Sequence, residues 1–521
     1  MFTWCVGLKA AYALISVYDK AKVVDFGRGL HKLGFKIISS GGTAKVLSDA
    51  GVPVVQVSDY TGFPEMLDGR VKTIHPKVHA GILAVRGDRK HAETLAKHRI
   101  PAIDVVAVNL YPFRETVAKE DCRFEDAIED IDVGGPALVR AAAKNHQDVA
   151  VVVDPADYAV VLEELESGEK VSMETKKRLA VKAFAHTAEY DAAIHRFLAK
   201  TYEPDRFPEK FNISLTKAYD LRYGENPHQK AAYYFDDAAE SCVSETKILS
   251  EGKQLSFNNL IDVNAALEMV KEFEKPAAVI IKHLNPAGVG CAQDIHSAYE
   301  AAHSADHLSA YGCIVALNRE PDDAVAKDIV STFVEVVAAP SFGKNVLDIL
   351  LSKKNMRILA VGKIRKENKD ALDYRKVIGG MLIQTADQRE VTEKDMRVVT
   401  MRKPTQEEVE AMLFAWKVCK HTRSNSIIFA KNDRTVGVGA GQMSRVDAVK
   451  IAAMKAKEQA KGAVMASDAF FPFRDGIDEA AKAGITAAIH PGGSIRDREV
   501  IEAADQYGMA MVFTGVRGFL H

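Results

Sequence analysis

Cysteine is scarce and never clustered. The chain holds six in 521 residues: Cys5, Cys122, Cys242, Cys291, Cys313 and Cys419. None forms CxxC, which argues against a disulfide framework and against structural zinc. Buried thiols in a reducing cytosol account for them. An excess of charge of one sign is also missing. Lys plus Arg total 69, Asp plus Glu total 71, and the net charge is -2. A nucleic-acid binder relying on bulk charge would be basic, so that class recedes, with local patches still open. Long apolar runs are absent too. Stretches such as Ala277–Ile281 fall far short of the roughly 20 residues a spanning helix needs. The apolar start MFTWCVGLKAAYALISVYDK has no basic n-region and is interrupted by Lys9. It reads as an extension feeding a first buried strand, not as a signal peptide. No low-complexity tract interrupts the chain.

What is present is an ordinary globular composition, 47% hydrophobic and 27% charged. The length predicts about three or four domains. Over the first two hundred residues, apolar runs alternate with helical patterns. Ala13–Val17 reads as a strand, and Asp19 caps a helix over 20–33. Lys36–Ser39, Val54–Val57, Val105–Asn109 and Val149–Val153 continue the series. This rhythm predicts a parallel sheet covered by helices. Residues 199–212, AKTYEPDRFPEKFN, form the candidate linker between domains 1–198 and 213–521. In the second region, AAVIIKHLNPAG at 277–288 and GITAAIHPGG at 484–493 look faintly alike, a hint of internal duplication.

Four motifs in the first region invite chemistry. Ser40-Gly41-Gly42-Thr43 lies between a strand and a helix, and small residues with helical N–H groups suit a phosphate. A tight turn with a Ser/Thr cap accounts for it equally well. In Asp68–Pro76, an extended backbone would turn Arg70 and Lys72 to one side. Tyr111 ends a buried strand, the place where open α/β sheets bind ligands. It also suits packing at a sheet edge. In IDVGGPALVRAAAKNH, Pro136 fits a first helical turn. Arg140 and Lys144 then fall at i,i+4, an arrangement that an anion would relieve. Asp132 precedes that loop.

The strings SGGTAK, GFPEMLDGRVKTIHPKVHAGIL, NLYPF and IDVGGPALVRAAAKNH resemble, in order, the cyclohydrolase half of the AICAR transformylase/IMP cyclohydrolase family. In the second region, LRYGENPHQ is dense in turn-forming residues, and Arg222 with Tyr223 suits an anionic, aromatic ligand. Lys282-His283 ends a buried strand and offers a cation beside a base that titrates near neutrality. Taken alone, such a pair is more often incidental. LRYGENPHQ, GKQLSFNNLIDVNAAL, IKHLNPAGVGC, FAWKVCKHTRSNSI, VGVGAGQMSRVDA, KGAVMASDAFFPFRDGID and PGGSIRD resemble the transformylase half of the same family. The resemblance runs from about Ala13 to the C-terminus. It implies an α/β chain: a methylglyoxal-synthase-like doubly wound domain, then tandem cytidine-deaminase-like units dividing near 380. The deaminase zinc signature, HxE with PCxxC, is missing, so no catalytic metal is expected. Where many members read SAFGGIVA, this chain has Ser309-Ala310-Tyr311-Gly312-Cys313-Ile314-Val315-Ala316, which alters the wall of a site near folate.

The resemblance implies two reactions. AICAR takes a formyl group from 10-formyltetrahydrofolate, and the product then closes its ring, losing water, to give IMP. Closure pulls forward a nearly balanced first step. For formyl transfer it implies His283 as base, Lys282 for the oxyanion or leaving group, and Asn425 to orient substrate. Arg222, Tyr223, Arg445, Phe470 and Arg517 match nucleotide-binding positions, Asp475 faces folate, and Glu335 joins the substrate-binding set. For cyclisation it implies Lys72, Tyr111, Asp132 and Lys144, with Ser16, Ser40, Gly41, Gly42, Thr43 and Arg70 binding substrate. ATP, nicotinamide, metal, nucleic acid and membrane are not expected. A cytoplasmic homodimer sharing its transformylase site between subunits is. Two rivals remain: a ligand-sensing protein on the same folds, and an enzyme with transformylase activity alone.

Overall fold

The computed structural model describes residues 11–119, 121–168, 170–202, 207–236, 246–251, 254–365 and 371–521. Cys5, Cys242, the apolar residues 1–10 and residues 203–206 of the expected linker lie outside them. The chain divides into two compact units, Met1–Ser214 and Leu215–His521. The helix Met173–Tyr202 continues through residues 199–202, which the linker reading had placed outside the first domain.

Unit one is built on strands β1 (Tyr12–Ser16), β2 (Lys36–Ser39), β3 (Val54–Gln56), β4 (Val105–Val108) and β5 (Ala150–Val152). They agree with the sequence reading to within one residue at each end. Apolar residues at consecutive positions bury both faces, as a helix-covered parallel sheet demands. The order is β3-β2-β1-β4-β5, and every pairing is parallel. Strand direction of build reverses between β1 and β4, where Ser16 pairs with Val108. That switch point leaves a crevice at the carboxyl ends of the strands. The first helix begins later than expected, at Val23. The Asn109 side chain takes the Tyr18 and Asp19 N–H groups at 2.6 and 3.0 Å, and Asp19 caps only the turn to Ala21.

Unit two contains two copies of one motif. The first copy comprises β8 (Lys247–Ile248), the helix Phe257–Val270, β9 (Ala277–Lys282) and β10 (Asn285–Cys291). It continues with β11 (Cys313–Leu317), β12 (Val334–Ala339) and β13 (Arg357–Ala360), each preceded by a helix. The second repeats the order: β16 (Arg397–Val398), the helix Gln406–Lys420, β17 (Ile427–Lys431), β18 (Arg434–Gly439), β19 (Val464–Ser467), β20 (Ala487–His490) and β21 (Ala510–Phe513). One twelve-stranded sheet runs β16-β21-β20-β19-β17-β18-β10-β9-β11-β12-β13-β8, a palindrome about the β10–β18 join. The earlier strands β6 (Thr216–Leu221) and β7 (Ala231–Phe235) form a separate hairpin. So do β14 (Leu372–Val377) and β15 (Gly380–Thr385), which lie in sequence between the copies.

The duplication is present, but the sequence match suggested for it is not the structural one. Ala277–Lys282 corresponds to Ile427–Lys431, whereas Ala487–His490 is the counterpart of β12. Short apolar strands ending in turns look alike, so pattern alone confused two of them. The true repeat is KHLNPAGVG at 282–290 with KNDRTVGVG at 431–439. Its glycines have a steric cause. A Cβ at Gly288 or Gly290 would overlap the backbone of the helix Ile295–His303. A Cβ at Gly437 or Gly439 would overlap that of Arg445–Ala456.

Alternate residues of each strand enter different cores. Ala277, Val279 and Ile281 join a core shared by both copies, which includes Leu267, Met412 and Trp416. Ala278 and Ile280 face a core belonging to the first copy alone. At the shared core's border, Glu272 ties the copies together. It accepts from Lys420 Nζ at 3.0 Å and His421 Nε2 at 2.9 Å, and its backbone oxygen accepts from Lys417 Nζ at 3.1 Å. Burial pushes the Glu272 carboxyl up, but the His421 and Lys420 interactions outweigh it and hold the group below its ordinary range. Removing one partner of such a buried group costs about 3–5 kcal/mol. Urea unfolding of Glu272→Gln should show a destabilisation that holds above pH 4.5, the ordinary value for the group. The gap to wild type should narrow as pH falls below that value, because only the wild type then loses a stabilising charge.

Candidate functional sites

At the crevice of unit one, the helix Gly41–Asp49 starts directly after β2, with Ser40 as its N-cap. Ser40 is buried and its hydroxyl has no protein partner. It points free donor capacity at a helix N-terminus, an arrangement that suits an anion. Gly41 has φ +53, and a Cβ there would lie 3.8 Å from the Lys72 ammonium. Ser16 ends the neighbouring strand. Thr43 differs from the expectation: its hydroxyl accepts from Val17 N–H at 3.1 Å and donates to Val17 C=O at 2.9 Å. It fastens the helix to the chain after β1.

Lys72 and Asp132 attract one another across this crevice. Asp132 accepts the Gly135 N–H at 2.8 Å, and its own N–H donates to the Tyr190 hydroxyl at 2.7 Å. Burial raises the Asp132 carboxyl, with Gly135 and Lys72 offsetting part of the rise. A Cβ at Gly135 would overlap that carboxylate, which explains the glycine. Tyr111 packs edge-on to Tyr18, with ring centroids 5.9 Å apart. Sequence reasoning passed over Lys20, whose ammonium is close enough to Lys72 to be lowered by it, after the larger effect of burial.

Two expected members stand elsewhere. Residues 67–69 form a tight turn with left-handed Leu67, Asp68 and Gly69, so the backbone is not extended there. Arg70 is thereby turned outward to an exposed ion pair with Glu129. Lys144 is exposed at the last turn of the helix Gly134–Lys144. Asp132 precedes the first turn, and eleven residues at about 1.5 Å each separate the two ends. The next residue, Asn145, donates to Ile82 and Ala84 C=O, on the loop side that leads into β4. The Arg140 guanidinium lies over Phe184 at 5.6 Å, so a ring and not an anion accompanies it.

In unit two, β9 and β10 are joined by the two-residue turn His283-Leu284, with Lys282 paired to Asn285. Lys282 Nζ donates to Tyr311 C=O at 2.6 Å. In the second copy Lys431 Nζ donates to Lys461 C=O at 2.5 Å, so the lysine contact is a feature of the repeat, whereas Asn432 replaces the histidine. Asp262, which sequence reasoning missed, accepts the Leu284 N–H at 2.7 Å. Burial pushes the Cys313 thiol up to about 12, and the exposed Tyr311 ring packs 5.2 Å from Phe333. Glu335 accepts from Asn259 Nδ2 at 3.0 Å and pairs with Arg357 at 3.5 Å. The charges of Arg222 and Tyr223 reach Arg357, and Arg222 lies over the Tyr223 ring at 5.3 Å.

The antiparallel join brings the second copy's strand ends to this turn. Arg423 N–H donates to Asn285 Oδ1 at 3.1 Å. Asn425 donates to Gln442 C=O at 2.8 Å and accepts from Arg445 Nη2 at 2.6 Å. Arg445 is buried, bound also to Ser467 Oγ and to the fully buried Asp468. It therefore links Asn425 to Asp468 and Ser467. A cavity of 520 Å³ is lined by Lys282, His283, Asn285, Gln442, Asp306 and Lys455, among others. Phe470 and Asp475 are exposed on the segment after Asp468. The exposed Arg517 lies over Phe519 at 4.5 Å, and Gly518 N–H joins its segment to Asp468 C=O at 2.9 Å. Acids at the carboxyl ends of strands, such as Asp468, were a signal that sequence reasoning left unused.

Burial pushes the Cys291 thiol up to about 12. Among the described residues one group, His296, Glu300 and Asp328, has the spacing to hold a cation, and there His296 is hydrogen-bonded to Asp328 at 2.8 Å. No helix among the described residues is long and apolar enough to cross a membrane.

Known proteins frame these two sites. An MGS-like domain model matches residues 22–137, and the AICARFT/IMPCHase bienzyme model matches residues 142–455. The bifunctional purine biosynthesis protein PurH of Acetivibrio thermocellus is 53% identical over 511 residues, covering 98% of this chain and 99% of that protein. A solved structure titled ForH is 37% identical over 36% of this chain and 98% of its own, with a TM-score of 0.33. The extent of the bienzyme model and of the PurH match shows that the chain belongs to the AICARFT/IMPCHase bienzyme family.

Proposed function

We propose that the two polar sheet edges are the two active sites of this bienzyme, formyl transfer in unit two and ring closure in unit one. The chain is a formyltransferase and an IMP cyclohydrolase, carrying the last two steps of IMP synthesis. The carrying observation is the 520 Å³ cavity, which joins Lys282 and His283 of one copy to Gln442, beside Asn425, of the other.

For formyl transfer, the amine of AICAR is a weak nucleophile, so it needs placement and a base. His283 accepts the amine proton as the bond to the formyl carbon forms. Lys282, released from Tyr311 C=O, stabilises the oxyanion or protonates the departing nitrogen of 10-formyltetrahydrofolate. Asn425, fixed by Arg445, orients the carboxamide. Arg222 and Tyr223 take the nucleotide from the Glu335 side. For ring closure, Ser40 and the helix N–H groups behind Gly41 and Gly42 hold the phosphate. Lys72 and Tyr111 stabilise the oxyanion formed when the carboxamide nitrogen attacks, and Asp132 moves the proton. The exposed positions of Phe470, Asp475 and Arg517 suit a homodimer in which one subunit completes the partner's transformylase site.

Three measurements test this reading. His283→Ala should lower formyl transfer, followed by tetrahydrofolate absorbance, by about 10²–10⁴-fold while cyclisation of supplied formyl-AICAR persists. Loss of both would refute separate sites. Asp132→Asn should slow cyclisation alone. The wild-type rate should fall with decreasing pH at a higher pH than an ordinary carboxylate gives, because burial raises this group. A limb that survives in Asp132→Asn would rule Asp132 out as its source. Finally, mixing His283→Ala with Asp475→Ala subunits should restore about a quarter of wild-type formyl transfer if two-fold dimers share sites. No restoration would place each site within one chain.

A further inference from the structure

The turn that carries His283 is built from residues ill suited to it. His283 and Leu284 have φ +52 and +65, both in the left-handed region. With Lys282 paired to Asn285 across them, they form a two-residue hairpin turn whose usual occupants are Asn and Gly. A leucine at such an angle is held there only by its surroundings. Those surroundings are visible. Asp262, half-buried on the helix Phe257–Val270, accepts the Leu284 N–H at 2.7 Å. Its carboxylate also faces the His283 N–H and imidazole, with Glu335 the nearest like charge.

The second copy of the motif supplies an internal control. Its equivalent turn is Asn432-Asp433, in which only Asn432 is left-handed, with φ +51. Asn tolerates that region readily. Both helices begin with a capping box, at Ser256 and Thr405. Six residues beyond the cap, where the first copy has Asp262, the second has Ala411. The acid is present in the copy whose turn needs holding and absent in the copy whose turn does not.

We infer that Asp262 is a positioning residue for formyl transfer: it binds the backbone of the left-handed His283-Leu284 turn and so keeps the imidazole in the cavity. This rests on the reading of His283 as the base. A turn released from Asp262 relaxes toward angles that Leu284 prefers, and that swings His283 away from the substrate amine.

The test is a rescue measured in the full-length chain, with cyclisation as the control activity. Asp262→Ala should lower kcat for formyl transfer by roughly tenfold or more, leave KM for AICAR within about twofold, and leave cyclisation unchanged. Asp262→Asn keeps an acceptor oxygen and should lose less. Leu284→Gly removes the side chain that the left-handed region penalises. Alone it should be close to wild type, and combined with Asp262→Ala it should recover at least about threefold of the lost kcat. A double variant as slow as Asp262→Ala overturns the inference, because a proton-handling role would not be rescued through the backbone. If Asp262→Ala does not fold, Asp262→Asn with and without Leu284→Gly carries the same comparison. Full formyl transfer by His283→Ala in the same assay would instead strike down the reading of His283 itself.

Discussion

The antiparallel contact between β10 and β18 governs the transformylase half. It turns two copies of a small motif into a single sheet, and the Gly-Val-Gly segments make it possible. Each segment lets a helix settle onto its strand at backbone distance, beside the strand's pairing with its twin. Because the join is antiparallel, the turn of the first copy lies beside the strand ends of the second. One motif alone would carry Lys282 and His283 without Asn425, or Asn425 without them.

A two-fold arrangement creates two such edges, and they are furnished differently. At the other, the second copy's turn meets the base of the first. There Lys275 pairs with Asp433 at 2.6 Å, and Cys291 N–H donates to Asp433 C=O at 2.8 Å. Asn318, the positional counterpart of Asp468, spends its side chain on Ala277, Phe273 and Lys275 backbone. Every group is used to hold strands. At the edge that carries His283, Asp468 instead grips Arg445, which grips Asn425, so the same position supports a side-chain amide beside the cavity. The shared lysine contact makes the same point. Lys282 and Lys431 both brace a loop carbonyl, and it is the histidine beside Lys282 that breaks the symmetry.

The sheet of unit one was legible because runs such as Val105–Val108 are apolar at consecutive positions and short, as a strand covered on both faces requires. The sites were legible as strings, less so as geometry. Thr43 and Arg445 were placed among substrate contacts, yet each is occupied by protein: Val17 in one case, Asp468 and Asn425 in the other. Sequence reveals which side chains have chemistry to offer, not which have already been used. Arg70, paired with Glu129, and Lys144, at the last turn of its helix, are a different case. Their placement depends on a left-handed turn at 67–69 and on the length of a helix, and neither follows from residue type alone. Asp468 had its place directly after a strand as a signal, whereas Asp262, one acid within a helix, had no pattern to announce it.

The two sites, on unrelated units, reach the same electrostatic solution. Each sets a carboxylate, raised by burial, against the backbone N–H of a glycine-like turn: Asp132 with Gly135, and Asp262 with Leu284. Backbone donors are the partners that a buried carboxylate can bind without neutralising it, since they add no competing charge. What differs is the group on the far side. Asp132 faces Lys72, whose attraction offsets part of the rise that burial causes. Asp262 faces His283 and binds the backbone of its turn. The first arrangement suits a carboxylate that moves protons, the second a carboxylate that holds in place the residue that does. Near-neutral total charge conceals both, because each cation is matched locally and the anions that complete the sites arrive with the substrates.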